Sequence, residues 1–184
     1  IVHSVMVVGG GKIGYYLSKR LSENGIRVKL IEKSTAQCEF LAENLGENVL
    51  VLNGDGSDMN LLLEEDLSTV DAFVGTTGLD EENLLMALMA SKQGIGKTVA
   101  KVSKGNYLDV IENLGVDVAV SAVDITVNDI LKYIRGGKII SVSLMLGGKA
   151  EVNEFIADES MPWTNRPLKE AHLPTGIIGG TILN

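Results

Sequence analysis

The sequence predicts an α/β fold: a Rossmann-like, doubly wound parallel sheet in strand order 3-2-1-4-5-6, followed by a truncated small α+β domain. Three observations carry this expectation. Short apolar runs rich in Val and Ile alternate with helical patterns along most of the chain. The first run enters Gly9-Gly10-Gly11-Lys12-Ile13-Gly14, a G-x-G-x-x-G turn that opens a helix. The second run ends on a carboxylate, Glu32, where a dinucleotide fold keeps its ribose acid.

The strands are expected at residues 4–8, 28–31, 49–53, 72–76, 98–102 and 118–121. Most are apolar on both faces, as strands covered by helices on each side must be. The first helix follows Gly11, turns Ile13, Leu17 and Leu21 inward, and closes at Gly25. Ser34 or Thr35 caps the second, whose apolar positions are Cys38, Leu41, Ala42 and Leu45. The third follows Ser57 and carries Leu61, Leu62 and Leu63. Asp80-Glu81-Glu82 opens the fourth, with acids suited to the positive end of a helix dipole, and Gly94 ends it. A fifth spans 107–113 and stops at Gly115.

A further amphipathic helix covers 124–134, with Val123, Val127, Ile130, Leu131 and Ile134 on one face. Two readings stand: the helix packs on its own domain, or it leaves it to pack on a partner subunit. After Gly136-Gly137 the texture changes. Residues 138–146 and 149–156 alternate like strands around Gly147-Gly148, a hairpin signal. Pro162, Pro167 and Pro174 fall in the rest, with a helical turn at 168–171 and a strand at 175–183. The domains are accordingly 1–135 and 136–184.

Composition narrows the class. With 184 residues and 45% hydrophobic content, the chain can bury a substantial core. A net charge of −8 without any Lys/Arg stripe argues against nucleic acid. Cys38, the single cysteine, sits in a helical apolar pattern and reads as a buried structural thiol. No apolar run reaches the ~18 residues of a membrane span, and no signal peptide precedes the first strand, so a cytoplasmic location is expected. The chain starts at Ile1 and stops within an apolar run, which reads as part of something longer.

The chemistry centres on the glycine turn. Gly9 permits the tight turn, Gly11 lets the backbone approach phosphates, and Gly14 brings the helix close to the sheet with its N–H groups aimed at the anion. Glu32 would accept from a ribose hydroxyl pair. Gly54-Asp55-Gly56 follows the third strand, on the adenine side, where Asp55 either contacts the base or simply shapes a turn. Thr76-Thr77-Gly78 follows the fourth, toward the middle or far end of a nucleotide. Lys101 breaks the fifth strand with a charge that calls for a phosphate or an acid.

A catalytic group is not expected there. His3 and His172 lie away from the crevice, and Tyr15-x-x-x-Lys19 matches a reductase pattern only by accident, inside the glycine-loop helix. Glu64, Glu65 and Asp66 read as a solvated helix end. The inventory points to binding without turnover.

The glycine turn, Glu32, Gly54-Asp55-Gly56 and the run from Asp71 through Asp80-Glu81-Glu82-Asn83-Leu84 to Lys92 together resemble the TrkA/RCK (KTN) regulators of potassium transport. The Asp-Glu-x-Asn-Leu helix start is the most specific part, and the G-G-G-x-I-G loop is similar to that of a second tandem module. The tail resembles the beginning of an RCK C-terminal domain.

The resemblance implies a nucleotide-binding regulatory subunit that binds NAD(H), or alternatively ATP/ADP, and gates a membrane potassium transporter by ligand-dependent conformational change. Gly9, Gly10, Gly11, Lys12, Ile13 and Gly14 would hold the phosphates and Glu32 the adenosine ribose, disfavouring a 2′-phosphate. Asp55 would lie near the adenine, and Thr76 with Thr77 would face the distal part. Lys101 stands where many members have an arginine and lacks its bidentate fork. Pairing as a homodimer or between tandem modules, through helix 124–134, would build a ring on the inner face of the membrane. The competing hypothesis is an NAD-dependent oxidoreductase whose catalytic domain lies outside this chain.

Overall fold

The computed structural model describes residues 1–103, 115–135, 139–145, 150–159, 161, 164, 167–170 and 175–179. They fall into two compact units, Ile1–Thr126 and Val127–Asn184. In the first, β1 (Ser4–Val8), β2 (Arg27–Glu32), β3 (Val49–Asn53), β4 (Ala72–Gly75), β5 (Thr98–Val102) and β6 (Val118–Ser121) form one parallel sheet. Its order, 3-2-1-4-5-6, is the expected one.

β1 explains why both faces are covered. Successive side chains on a strand point to opposite sides. Met6 and Val8 therefore join one cluster, with Leu62 of α3 (Met59–Glu64) and Met86, Ala87 and Ala90 of α4 (Asp80–Lys92). Val5 and Val7 join the other, with Leu41 of α2 (Thr35–Asn44) and with Tyr15, Leu17 and Leu21 of α1 (Lys12–Glu23). Burying a side chain such as Leu41, Leu62 or Phe73 contributes about 1.5–3 kcal/mol. β3, at the sheet edge, is only half covered, and Leu50 is left exposed.

The helices correct several details of the sequence reading. On α1 the fully buried residues are Gly14 and Ser18, whereas Ile13, expected on the inward stripe, is 41% exposed. Small residues let that face lie close against the glycine turn, and the bulkier Ile13 is left to solvent. Ser34 caps α2 by accepting from the Gln37 N–H, and Cys38 is buried, while Ala42 is exposed. The third helix follows Ser57 as expected, and Asp58 caps it by accepting from the Asn60 N–H. The acids after α3 are not merely solvated: the Lys29 ammonium donates to the Glu65 carbonyl at 2.6 Å and to the Asp66 carboxylate at 3.3 Å. On α4, Asp80 and Asn83 are buried, so the first acid of its opening turn faces inward.

Helix α5 (Ala122–Arg135) starts two residues before the expected point, because the Ser121 hydroxyl accepts from the Asp124 N–H. Val123, Val127, Ile130 and Ile134 are exposed. In the second unit, β7 (Ile139–Met145) and β8 (Ala150–Phe155) form the expected antiparallel pair, and Leu168–Glu170 makes a 3-10 turn. The strand expected at 175–183 is not seen where it is described: residues 175–179 hold a turn and no strand, and Gly176 takes φ +88°. The expected helix 107–113, Gly136-Gly137, Gly147-Gly148, Pro162, His172, Pro174 and residues 180–183 lie outside the described residues.

Candidate functional site

The sheet order reverses between β1 and β4, and the polar groups singled out in the sequence gather at the carboxyl ends of the strands there. The glycine turn forms the floor. Gly9 has φ +102°, and its N–H donates to the Ile31 carbonyl at 2.8 Å. A Cβ on Gly14 would stand 1.9 Å from the Gly9 carbonyl oxygen, so α1 can lie this close only with glycine there. A Cβ on Gly11 would meet nothing within 4 Å. Gly11 is also the N-cap of α1 and offers no side-chain cap, so the first amides of the helix face open ground beside exposed Lys12 and Ile13.

Glu32 stands next to that ground. One carboxylate oxygen accepts from the Gly10 N–H and the other from the Ser34 N–H, each at 2.7 Å. Each oxygen keeps a second acceptor direction for a hydroxyl. Gln37, which the sequence reading passed over, donates its side-chain amide to the Gly10 carbonyl at 2.8 Å. Gly10 is thus held at both its N–H and its carbonyl. The signal was present: Ser34 and Gln37 have capping-box spacing, but Glu32 already occupies the Ser34 N–H, so Gln37 reaches the turn instead.

Asp55 accepts from the Lys33 ammonium at 2.6 Å and from the Ser57 amide and hydroxyl at 3.0 and 2.7 Å. These bonds, the Lys33 contact first, hold its carboxyl far below the usual range, and Asp55 in turn raises Lys33. The buried Cys38 thiol donates to the Glu32 carbonyl at 3.3 Å.

Across the reversal point the arrangement is more buried. The Thr76 hydroxyl lies under the glycine turn, within 3.0 Å of the Val8 carbonyl and 2.8 Å of the Gly9 carbonyl. Thr77 is held by Asn83, whose amide oxygen accepts from the Thr77 N–H at 2.9 Å and from its hydroxyl at 2.8 Å. The Asn83 amide donates to the carbonyls of Thr77 and Lys101 at 3.1 and 2.9 Å. Lys101 was expected to need a phosphate or an acid; its ammonium donates to a neutral partner, the Thr77 carbonyl, at 2.9 Å. Asp80 accepts from the Ser103 amide at 2.7 Å and from its hydroxyl at 3.1 Å.

Uncapped helix amides, clear space over Gly11 and a carboxylate with spare lone pairs fit a nucleotide diphosphate and its ribose. Among the described residues no cluster of His, Cys, Asp or Glu could hold a metal, and no helix is long and apolar enough to cross a membrane. A depression of about 310 Å³ lies at the opposite, amino ends of the strands, lined by Ser4, Arg27, Glu47 and Asn48 among others. It shares no residue with the glycine turn.

Comparison with known proteins bears on the family and the fold. The family model for the TrkA-N domain matches residues 5–122. The chain is 38% identical over 173 residues to Trk system potassium uptake protein trkA homolog 1 of Methanosarcina mazei, covering 94% of this chain and 42% of that protein. It is 38% identical over 182 residues to Trk system potassium uptake protein TrkA of Haemophilus influenzae, covering 97% of this chain and 39% of that protein. The chain thus spans about two fifths of the length of these curated relatives. Among solved structures, the GsuK channel bound to NAD superposes with a TM-score of 0.63 at 16% identity, covering 79% of this chain and 26% of that one. That similarity is one of fold.

Proposed function

The chain belongs to the TrkA-N family, and from that premise we propose that it is part of a nucleotide-binding regulatory subunit that gates a membrane potassium transporter through ligand-dependent conformational change. Residues 1–135 are read as the KTN nucleotide-binding domain and 136–184 as part of an RCK C-terminal domain. The ligand is NAD(H), with ATP or ADP as the alternative. Gly9 to Gly14 hold the phosphates, Glu32 the adenosine ribose, and Asp55 borders the adenine. Thr76, Thr77 and Lys101 flank the distal half. The exposed apolar side of α5 suits pairing with a second copy or a tandem module, as a step toward a ring beneath the transporter on the cytoplasmic side.

One observation carries the nucleotide reading: open space above Gly11 and the α1 amides lies beside Glu32, already bonded to the Gly10 N–H. The relatives named for potassium uptake supply the transporter side. A thermal-shift series with NAD+, NADH, ATP, ADP and NADPH tests the first part. A ligand at 100 times its dissociation constant adds about 2.7 kcal/mol of stability. No shift with any adenine nucleotide at millimolar concentration sinks the binding claim. Steady hydride transfer to a small carbonyl would favour the oxidoreductase alternative.

A further inference from the structure

We infer that Asn83 is a positioning residue for the distal half of the ligand: it fixes the Thr77 peptide on which the Lys101 ammonium rests. The inference builds on the nucleotide reading and adds to it a residue that touches no ligand. Asn83 lies one turn into α4 and is completely buried. Its side chain uses both ends of its amide, accepting twice from Thr77 and donating to Thr77 and Lys101. A buried amide must be satisfied, so this geometry is strongly favoured over a looser one.

The Thr77 carbonyl is the junction. It accepts both from Asn83 and from the Lys101 ammonium. Asn83 also accepts from the Thr77 N–H, so the backbone on both sides of that residue is set by a single side chain. Lys101 is held at both ends, its carbonyl by Asn83 and its ammonium by the carbonyl that Asn83 orients. An ammonium has three donors, and one bond to a neutral carbonyl leaves two for an anionic or hydroxylated group. Lys is a flexible point charge without the fork of arginine, so it gains most from an external docking point. Gly75 secures the arrangement from the other side, since a Cβ there would stand 3.1 Å from the Asn83 Cα.

Two same-face residues of α4 thus do different work. Asp80 ties the helix to the end of β5 through Ser103, a connection that bears on stability. Asn83 sets the pose of groups facing the ligand. The experiment follows from that division. Titrate the 184-residue chain with NADH and with AMP, which lacks everything beyond the first phosphate, and compare wild type with Asn83→Ala, Asn83→Ser and Asp80→Asn. Asn83→Ala should weaken NADH about tenfold while AMP changes less than about twofold. Asp80→Asn should lower the melting temperature and leave the NADH-to-AMP ratio at the wild-type value. Asn83→Ser keeps a small hydrogen-bonding group and gives the same reading should the alanine variant fail to fold.

Equal losses for NADH and AMP in the Asn83 variants overturn the inference while leaving the nucleotide reading intact. So does wild-type binding of AMP as tight as that of NADH, because no distal contact would then exist to position. Binding of neither ligand by the wild type overturns the nucleotide reading and this inference with it.

Discussion

The two sides of the crevice are built differently. On the β1–β2–β3 side, the groups are backbone amides of the turn and two carboxylates held by partners: Glu32 on the Gly10 and Ser34 amides, Asp55 on Lys33 and Ser57. On the β4–α4–β5 side, Thr77 and Lys101 are held by one buried amide, Asn83. The first side depends on what the backbone may do; the second depends on what one side chain satisfies. At the glycine turn of the first side rigidity is steric as well as polar, and on the second side it is polar.

The largest test of this contrast compares two glycines of the same turn. Gly14→Ala places a methyl against the Gly9 carbonyl and should cost about 3 kcal/mol of unfolding free energy in a urea titration, or prevent folding. Gly11→Ala meets no atom, so stability should change by less than about 1 kcal/mol while nucleotide affinity falls. Equal destabilisation by both would break the steric account of this side.

Glu32→Ala is expected to act in between. Removing the acceptor for the Gly10 and Ser34 amides should cost about 1 kcal/mol of stability, because both amides can turn to water at the crevice. NADH affinity should fall about tenfold or more by calorimetry with the domain still folded. An unchanged dissociation constant would remove Glu32 from the site.

The smallest effect belongs to the exposed Lys33–Asp55 pair. The Asp55 carboxyl is depressed in the folded state, so its contribution is present above the unfolded carboxylate value of about 3.9 and is lost as pH falls through the folded value. Lys33 is raised, so its contribution is present at neutral pH and is lost only as pH climbs through its folded value. Melting temperatures measured from pH 6 down to pH 2 should therefore fall less steeply for Asp55→Asn than for wild type. Solvent screening keeps the difference small. Identical slopes would mean that Asp55 gains nothing from its partners.

How much was legible in the sequence follows the same division. The glycine turn, Glu32, the six strands and their order were readable, because each rests on local chain geometry or on a run of apolar residues. A cap at Ser34 or Thr35, the burial of Cys38 and the β7–β8 pair were readable on the same grounds, and the structure chooses Ser34. In the sequence Asn83 stands out only as part of a resembling motif, and Asp80 only as an acid suited to the helix dipole. Nothing in Asp80-Glu81-Glu82-Asn83 says which of its polar residues turns inward. That depends on where the end of β5 lies, and Lys101 and Ser103 arrive there from a distant part of the chain. Gln37 was missed for a related reason: its target, Gly10, is a neighbour only after β1 and β2 pair.

The sequence by itself determined the sheet, the turn and the acid at the end of β2, because steric limits on glycine and the burial of apolar runs act along the chain. Only the tertiary structure decided which polar side chains hold the site in shape. A buried amide must find its partners, and those partners exist as a set only once the strands stand side by side.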